Sequence, residues 1–324
     1  MPRPLSRGIG LLELKGVVKC YGDIRAVDGV SMKVEAGTIA ALIGPNGAGK
    51  STTFRLISGL LHADDGQILW CRQRLESALT REQRGFLPEE RGLYQAIEVE
   101  QLLRYWARLR NIDSSAIPAV LEDWISRFEL DSKRRALVRT LSKGNQQKVQ
   151  LAICLMHSPK LIVLDEPFSG LDPLNQDLVS EILLEQAARG ATILISAHQM
   201  ALVERMATTV TLMHAGRTMA MPAFGKSGER EADSLQRLVV VHIESGARLL
   251  LTDLPPHQVT HTADDKITIT FPAMRLAAFT DALAELAALD GVVDLEFSRP
   301  SLHRAYVESV STNITGAGNG SSYT

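Results

Sequence analysis

Cysteine is scarce: Cys20, Cys71 and Cys154 are the only three in 324 residues, far apart in the chain and odd in number. They exclude a disulfide framework, and none has the spacing of a metal-binding motif, so buried or idle thiols in a reducing cytosol are expected. Long apolar runs are missing too. No stretch approaches the roughly 18 continuous apolar residues of a membrane span, and the basic opening Met1 to Gly10 lacks the apolar segment of a secretory signal. Any membrane role then requires a partner chain. Neither sign of charge dominates, since 35 Lys and Arg stand against 37 Asp and Glu for a formal net charge of -2. That balance excludes a bulk attraction to nucleic acid or anionic lipid, and the local run Lys133-Arg134-Arg135 reads as a solvated helix end.

What is present is one stretch on which the chain is organised. Gly44-Pro45-Asn46-Gly47-Ala48-Gly49-Lys50-Ser51 follows the apolar run Thr38 to Ile43 and precedes the apolar-periodic Phe54, Leu56 and Ile57. Strand, glycine-rich turn and helix start are the context of a phosphate-binding loop. Its glycines let backbone N–H groups wrap phosphate oxygens, and the helix N-terminus adds positive potential. Lys50 reaches the outer phosphates, while Ser51 offers a hydroxyl to Mg²⁺.

Leu11 to Val18 and Ser31 to Val34 alternate as strands about a Tyr21-Gly22 turn, and Tyr21 is either a half-buried strand-end aromatic or a stacking surface for a purine. Thr52 to Leu60 is helical up to Gly59, and Gln67 to Cys71 reads as a strand. Gly85 to Tyr94 reads as a short strand entering a loop that Pro and Gly keep from becoming helix. Val99 to Arg110, Ala116 to Phe128 and Gln146 to Met156 form a helical insert at about 95–157. Ser142 is a good N-cap for the last of these. Leu161 to Leu164 reads as a buried parallel strand delivering Asp165 and Glu166 to the sheet's carboxyl edge, where such folds bind ligands. Thr192 to Ile195 does the same for His198.

After Met221 the composition breaks. Gly225 to Ser234 reads as a linker, and 235–310 as a small α+β domain. Its strands are expected at Leu238 to Ile243, Ala247 to Leu251, Lys266 to Phe271 and Val292 to Phe297, with helices over Leu276 to Leu289 and Ser301 to Val310. His257, His261 and His303 are too scattered for a metal site and read as solvated surface. The tail at 311–324 reads as disordered, and residues 1–10 as an N-terminal extension to a main domain at 11–224.

Taken in order, GPNGAGKS, LSKGN, LIVLDEP, SGLD and SAHQ resemble the ATP-binding-cassette (ABC) ATPases over roughly Leu11 to Met221. The fold this implies is α/β, a P-loop NTPase nucleotide-binding domain with a helical insert, joined here to the small C-terminal α+β domain. By the same resemblance ATP is bound by Tyr21, Gly44, Pro45, Asn46, Gly47, Ala48, Gly49, Lys50, Ser51 and Thr52, with Mg²⁺ held by Ser51, Asp165 and Glu89. Catalysis falls to Glu166, His198 and Lys50. Ser142, Lys143, Gly144 and Asn145 look like the signature that completes a partner's site, and Asp172 like the D-loop aspartate.

The sequence departs from the family pattern in two places. Glu89 stands where most members carry glutamine, and the signature reads Ser142-Lys143-Gly144-Asn145 in place of two glycines and a glutamine. Glu89 adds negative charge beside Asp165 and Glu166, and Lys143 adds positive charge near where a partner's phosphates lie. With the C-terminal domain and its Pro300-Ser301-Leu302, these variants resemble the subgroup driving ABC-2-type exporters of the sodium-efflux and drug-resistance kind. The expectation is an ATPase at the cytoplasmic face of the membrane, dimeric with itself or a second ATPase and bound to a separate permease chain, with no nucleic-acid partner. The alternatives are a soluble ABC ATPase acting on DNA repair or translation machinery, and a nucleotide-dependent regulatory module with little turnover.

Overall fold

A computed structural model of the chain describes residues 10–90, 92–219, 237–244, 254–263, 266–272 and 276–298. The chain divides into two compact units, Met1–Ala223 and Phe224–Thr324. The linker expected at 225–234, the strand at 247–251, the helix at 301–310 and the tail at 311–324 lie outside the described residues, as does the N-terminal extension apart from Gly10.

In the first unit β1 (Leu12–Tyr21) and β2 (Ile24–Val34) form a hairpin closed by the pair Tyr21 and Ile24, with Gly22 at φ 57 in the turn. β2 begins seven residues earlier than its alternation suggests. Register shifts between Leu14 and Cys20 offset the pairing, which breaks the two-residue rhythm that sequence reading depends on. β3 (Ile39–Ile43) leads into α1 (Lys50–Ser58), which starts inside the glycine loop rather than at Thr52 and stops at Gly59 in the left-handed region. β4 (Asp65–Trp70) and β5 (Gln73–Arg74) complete an antiparallel sheet of order β2-β1-β4-β5, and α2 (Leu75–Ala78) follows.

β6 (Arg84–Leu87) enters the second sheet. Three helices come next, α3 (Val99–Leu109), α4 (Ile117–Arg127) and α5 (Lys143–Leu155). α3 buries Val99, Leu102, Leu103 and Ala107, and α4 buries Ile117, Leu121, Trp124 and Ile125, each the single stripe expected of an amphipathic helix. α5 differs. It starts three residues before the expected Gln146 and is buried continuously from Gln147 to Leu155, polar residues included.

β7 (Leu161–Leu164), α6 (Pro173–Ala188), β8 (Thr192–Ser196), α7 (Met200–Met206), β9 (Thr209–His214) and β10 (Arg217–Met219) finish the unit. The second sheet has the order β10-β9-β3-β8-β7-β6, parallel except for β10 at its edge. β3, β7 and β8 are buried along their whole length, as strands covered on both faces must be, and this is why each reads as a continuous apolar run. Leu42 pairs with Ser196, and Leu164 with Ile195. The carboxyl ends of β3, β7 and β8 therefore lie side by side.

The second unit is an antiparallel sheet of β11 (Arg237–Ile243), β12 (Gln258–Ala263), β13 (Lys266–Phe271) and β14 (Val292–Ser298), ordered β12-β13-β11-β14, with α8 (Leu276–Ala287). Val239, Val241, Ile243, Ile267, Ile269, Phe271, Phe279, Ala282 and Leu286 make its core. β12 was not expected from its polar sequence, and it pairs along β13 at the sheet edge. His257 is half-buried rather than solvated: its Nδ1–H donates to the Pro255 carbonyl at 2.8 Å, and its ring lies 5.9 Å from that of Phe271.

Candidate functional site

The loop between β3 and α1 can be built only with glycine at two of its turns. A Cβ on Gly44 (φ 156) would stand 2.1 Å from the Met213 carbonyl oxygen, and one on Gly49 (φ 104) 2.2 Å from that of Ala26. Gly47 (φ 77) faces open space. Lys50, 8% exposed, opens α1 and turns back, its Nζ donating to the carbonyls of Gly44 at 2.8 Å and Pro45 at 3.0 Å. Burial lowers the Lys50 pKa, and the carboxylates of Glu166, Asp165 and Glu89 oppose that shift. No acidic side chain sits in the first turn of α1 to compete with an anion.

Directly opposite, β7 runs out into Asp165 and Glu166. Asp165 is buried, and its Oδ1 accepts a hydrogen bond from Ser196 Oγ at 2.6 Å. Glu166 adopts φ 52, an uncommon conformation for a residue other than glycine, and its N–H donates to the same Ser196 Oγ at 2.9 Å. Glu166 Oε1 is buried without a hydrogen bond of good geometry, although His198 Nε2 lies 3.3 Å away at ion-pair distance. Burial raises the Glu166 pKa. His198 and Lys50 pull it down, and Asp165 pushes it up.

Asn46 to Thr52, Glu89, Asp165, Glu166 and His198 line one cavity of about 270 Å³. An N–H cradle and an ammonium share the cavity with the carboxylates of Glu89, Asp165 and Glu166 and the imidazole of His198, a donor set that suits phosphate together with a hard cation such as Mg²⁺. Among the described residues no three His, Cys, Asp or Glu side chains are placed to hold a metal by themselves. A larger cavity of about 820 Å³, bordered by Arg55, Arg84, Pro88, Leu93, Trp106 and Arg110, contains none of these groups.

The family model for ABC transporters matches residues 27–169. The chain is 35% identical over 301 residues to the uncharacterized ABC transporter ATP-binding protein YhaQ of Bacillus subtilis, covering 93% of this chain and 98% of that one. The chain belongs to the ABC transporter ATP-binding proteins. It is also 35% identical over 211 residues to the Nod factor export ATP-binding protein I of Burkholderia lata, covering 64% of this chain and 69% of the relative. A solved ATP-binding subunit of an ABC transporter superposes with a TM-score of 0.62 at 33% identity, over 68% of this chain and 92% of that one. The first unit is thus an ATP-binding cassette of the P-loop NTPase fold, and ATP is its ligand.

Within this ABC cassette the remaining expected site residues sit elsewhere. Among the described residues lining the phosphate cavity, Tyr21, Asp172 and the signature residues are absent. Tyr21 is 47% exposed at the end of the β1–β2 hairpin, with Lys19 Nζ 5.9 Å from its ring centroid. Ser142 caps α5 by accepting the Asn145 N–H at 3.2 Å, and Ser142 and Lys143 are exposed. A Cβ on Gly144 would stand 3.1 Å from the Gly170 carbonyl oxygen, so the signature turn abuts the Ser169–Asp172 turn. Asp172 caps α6, taking the Asn175 N–H at 2.9 Å and its side-chain amide at 2.7 Å; these bonds hold its carboxyl below the ordinary range.

Two residues of the ABC site escaped sequence reading. Ser196 stands within SAHQ with no role assigned to it, and Gln147 reads as one more polar residue on an amphipathic helix. Gln147 is 3% exposed, and its Nε2 donates to the carbonyls of Pro167 at 3.0 Å and Glu166 at 3.4 Å. Neither residue type nor spacing sets these two apart from neighbouring polar residues; their burial arises only in the folded chain.

Proposed function

We propose that the chain is the ATP-hydrolysing subunit of an ABC-2-type exporter. The observation that carries the reading is the meeting of Lys50, Asp165, Glu166, His198 and Glu89 around one cavity at the carboxyl ends of β3, β7 and β8. Hydrolysis of ATP by in-line attack of water needs positioning and charge neutralisation rather than covalent catalysis. Lys50 and the loop amides hold the outer phosphates, Glu166 polarises the attacking water, and His198 orients Glu166 and senses the γ-phosphate. Ser51, Asp165 and Glu89 would hold Mg²⁺, which when bound neutralises charge on the phosphates. Tyr21 stacks on the adenine.

The signature residues Ser142, Lys143, Gly144 and Asn145, the first two exposed and the last two half-buried at the α5 terminus, complete the site of a second cassette, identical or not. ATP closes this dimer and hydrolysis opens it. No helix among the described residues is long and apolar enough to cross a membrane. The transport path is assigned to a separate permease chain. The loop from Glu89 to Ala96 borders the larger cavity through Gly92 and Leu93 and would transmit the movement to that chain at the cytoplasmic face. Export as the direction is supported by the printed name of the Nod factor relative. The cassette spans 11–224, and the 235–310 domain stabilises or regulates the dimer; deletion after Gly225 with dimerisation and its ATP dependence unchanged would contradict that role.

The decisive experiment is a pull-down of tagged Glu166→Gln from detergent-solubilised membranes in the presence of ATP. A stoichiometric multi-span membrane chain supports the exporter reading. Recovery of only soluble, ribosomal or DNA-repair components overturns it.

A further inference from the structure

Asp165 and Glu166 are consecutive, yet both carboxylates serve one cavity. A continuing strand would send them to opposite faces. The left-handed backbone at Glu166 is what avoids this, and a residue with a side chain holds such a conformation only where its surroundings enforce it.

The surroundings are specific. Ser196 is fully buried at the end of β8, one residue beyond the Leu164–Ile195 pair that ends the β7–β8 register. Its one hydroxyl proton goes to Asp165 Oδ1 at 2.6 Å, and its lone pair receives the Glu166 N–H at 2.9 Å. Gln147 holds the far side of the same turn through the carbonyls of Glu166 and Pro167. With Oδ1 occupied by Ser196, Asp165 keeps its second oxygen for the cavity, and with its N–H anchored, Glu166 keeps Oε1 near His198.

We propose that Ser196 is a positioning residue for ATP hydrolysis, whose hydroxyl ties the cation-holding acid to the water-polarising acid and keeps both on the phosphate side of the sheet edge. This rests on the ATPase reading above. Without the hydroxyl, the Glu166 N–H has no acceptor and the turn relaxes; Asp165 is free to rotate away from the cation position.

The test compares Ser196→Thr with Ser196→Val in the full chain. The two side chains have nearly the same shape and differ in the hydroxyl, so any packing cost cancels between them. Without nucleotide, the Glu166 amide is expected to exchange with deuterium about tenfold faster in the Val variant than in the Thr variant. The affinity for a fluorescent ATP analogue in EDTA is expected to agree within about twofold, while the Mg²⁺ concentration giving half-maximal tightening rises about fivefold or more in Val alone. Turnover is expected to fall about tenfold or more in kcat for Val, with KM within about threefold and Thr close to the parent. Equal exchange and equal Mg²⁺ dependence in the pair overturn the proposal. Should the larger side chains prevent folding, Ser196→Ala cannot overpack, and unchanged Glu166 exchange in that variant overturns it equally. A parent chain that binds no ATP defeats the ATPase reading, whereas the exchange contrast still decides whether Ser196 holds the Glu166 turn.

Discussion

His198 Nε2 lies 3.3 Å from Glu166 Oε1, so the histidine just after β8 meets the acid just after β7 in the lining of the phosphate cavity. Burial raises the Glu166 pKa above the ordinary carboxylate value, and His198 is the largest influence pulling it back. A glutamate that polarises water works only when ionised. Removing His198 therefore raises the pKa further and moves the acid limb of the pH profile of kcat/KM to higher pH. Measured for His198→Ala against the parent, a limb that stays or moves to lower pH would contradict this arrangement.

Glu166 and Lys50 line the same cavity and should separate on mutation. Glu166→Gln keeps the size of the side chain and removes the charge; turnover is expected to fall by about 10²–10⁴-fold with ATP affinity near that of the parent. Lys50→Met removes the ammonium that points into the loop and should weaken ATP binding about tenfold or more. Equilibrium binding and steady-state turnover on the two variants decide the point.

Gly49 and Gly47 make a matched pair. Both have positive φ, but only at Gly49 does an added Cβ meet backbone, at 2.2 Å from the Ala26 oxygen. Gly47→Ala is expected to cost about 1–2 kcal/mol from its backbone conformation alone. Gly49→Ala adds overlap and is expected to cost about 2–4 kcal/mol. Denaturant unfolding without nucleotide measures the difference, and equal costs would refute the reading of the loop.

His157 predicts a pH dependence of stability. Burial pushes its imidazole down to about 4, and its Nε2–H donates to the Arg84 carbonyl at 3.2 Å. Its pKa is lower in the folded state than in the unfolded state. Its contribution is therefore fully present above about pH 6.5 and is lost as pH falls toward 4, to a total of at most about 3 kcal/mol. Replacing it with glutamine should flatten the pH dependence of unfolding between these limits. A variant whose stability falls as steeply as the parent's would exclude His157 as the source.

The phosphate loop and the buried strands were legible because each is written locally. Gly44 to Ser51 is continuous in sequence, and β3, β7 and β8 carry apolar runs that two covered faces demand. What defeated local reading was pairing. The first half of β2 lost its alternation to register shifts against β1, and β12 is polar and becomes a strand by pairing with β13. Gln73 to Ala78, with two strand residues and one helical turn, is too short for any period to show.

The sequence by itself determined that the chain carries a phosphate loop, a pair of acids at a strand end and a histidine at another, because these depend on residue type and spacing along one segment. Only the tertiary structure decided that they share a cavity, that Glu166 turns left-handed to join Asp165 there, and that Ser196 and Gln147 hold the turn from β8 and α5. Those facts arise from the lateral order of parallel strands and from hydrogen bonds between segments about 20 to 30 residues apart, and no local periodicity encodes which strand ends become neighbours.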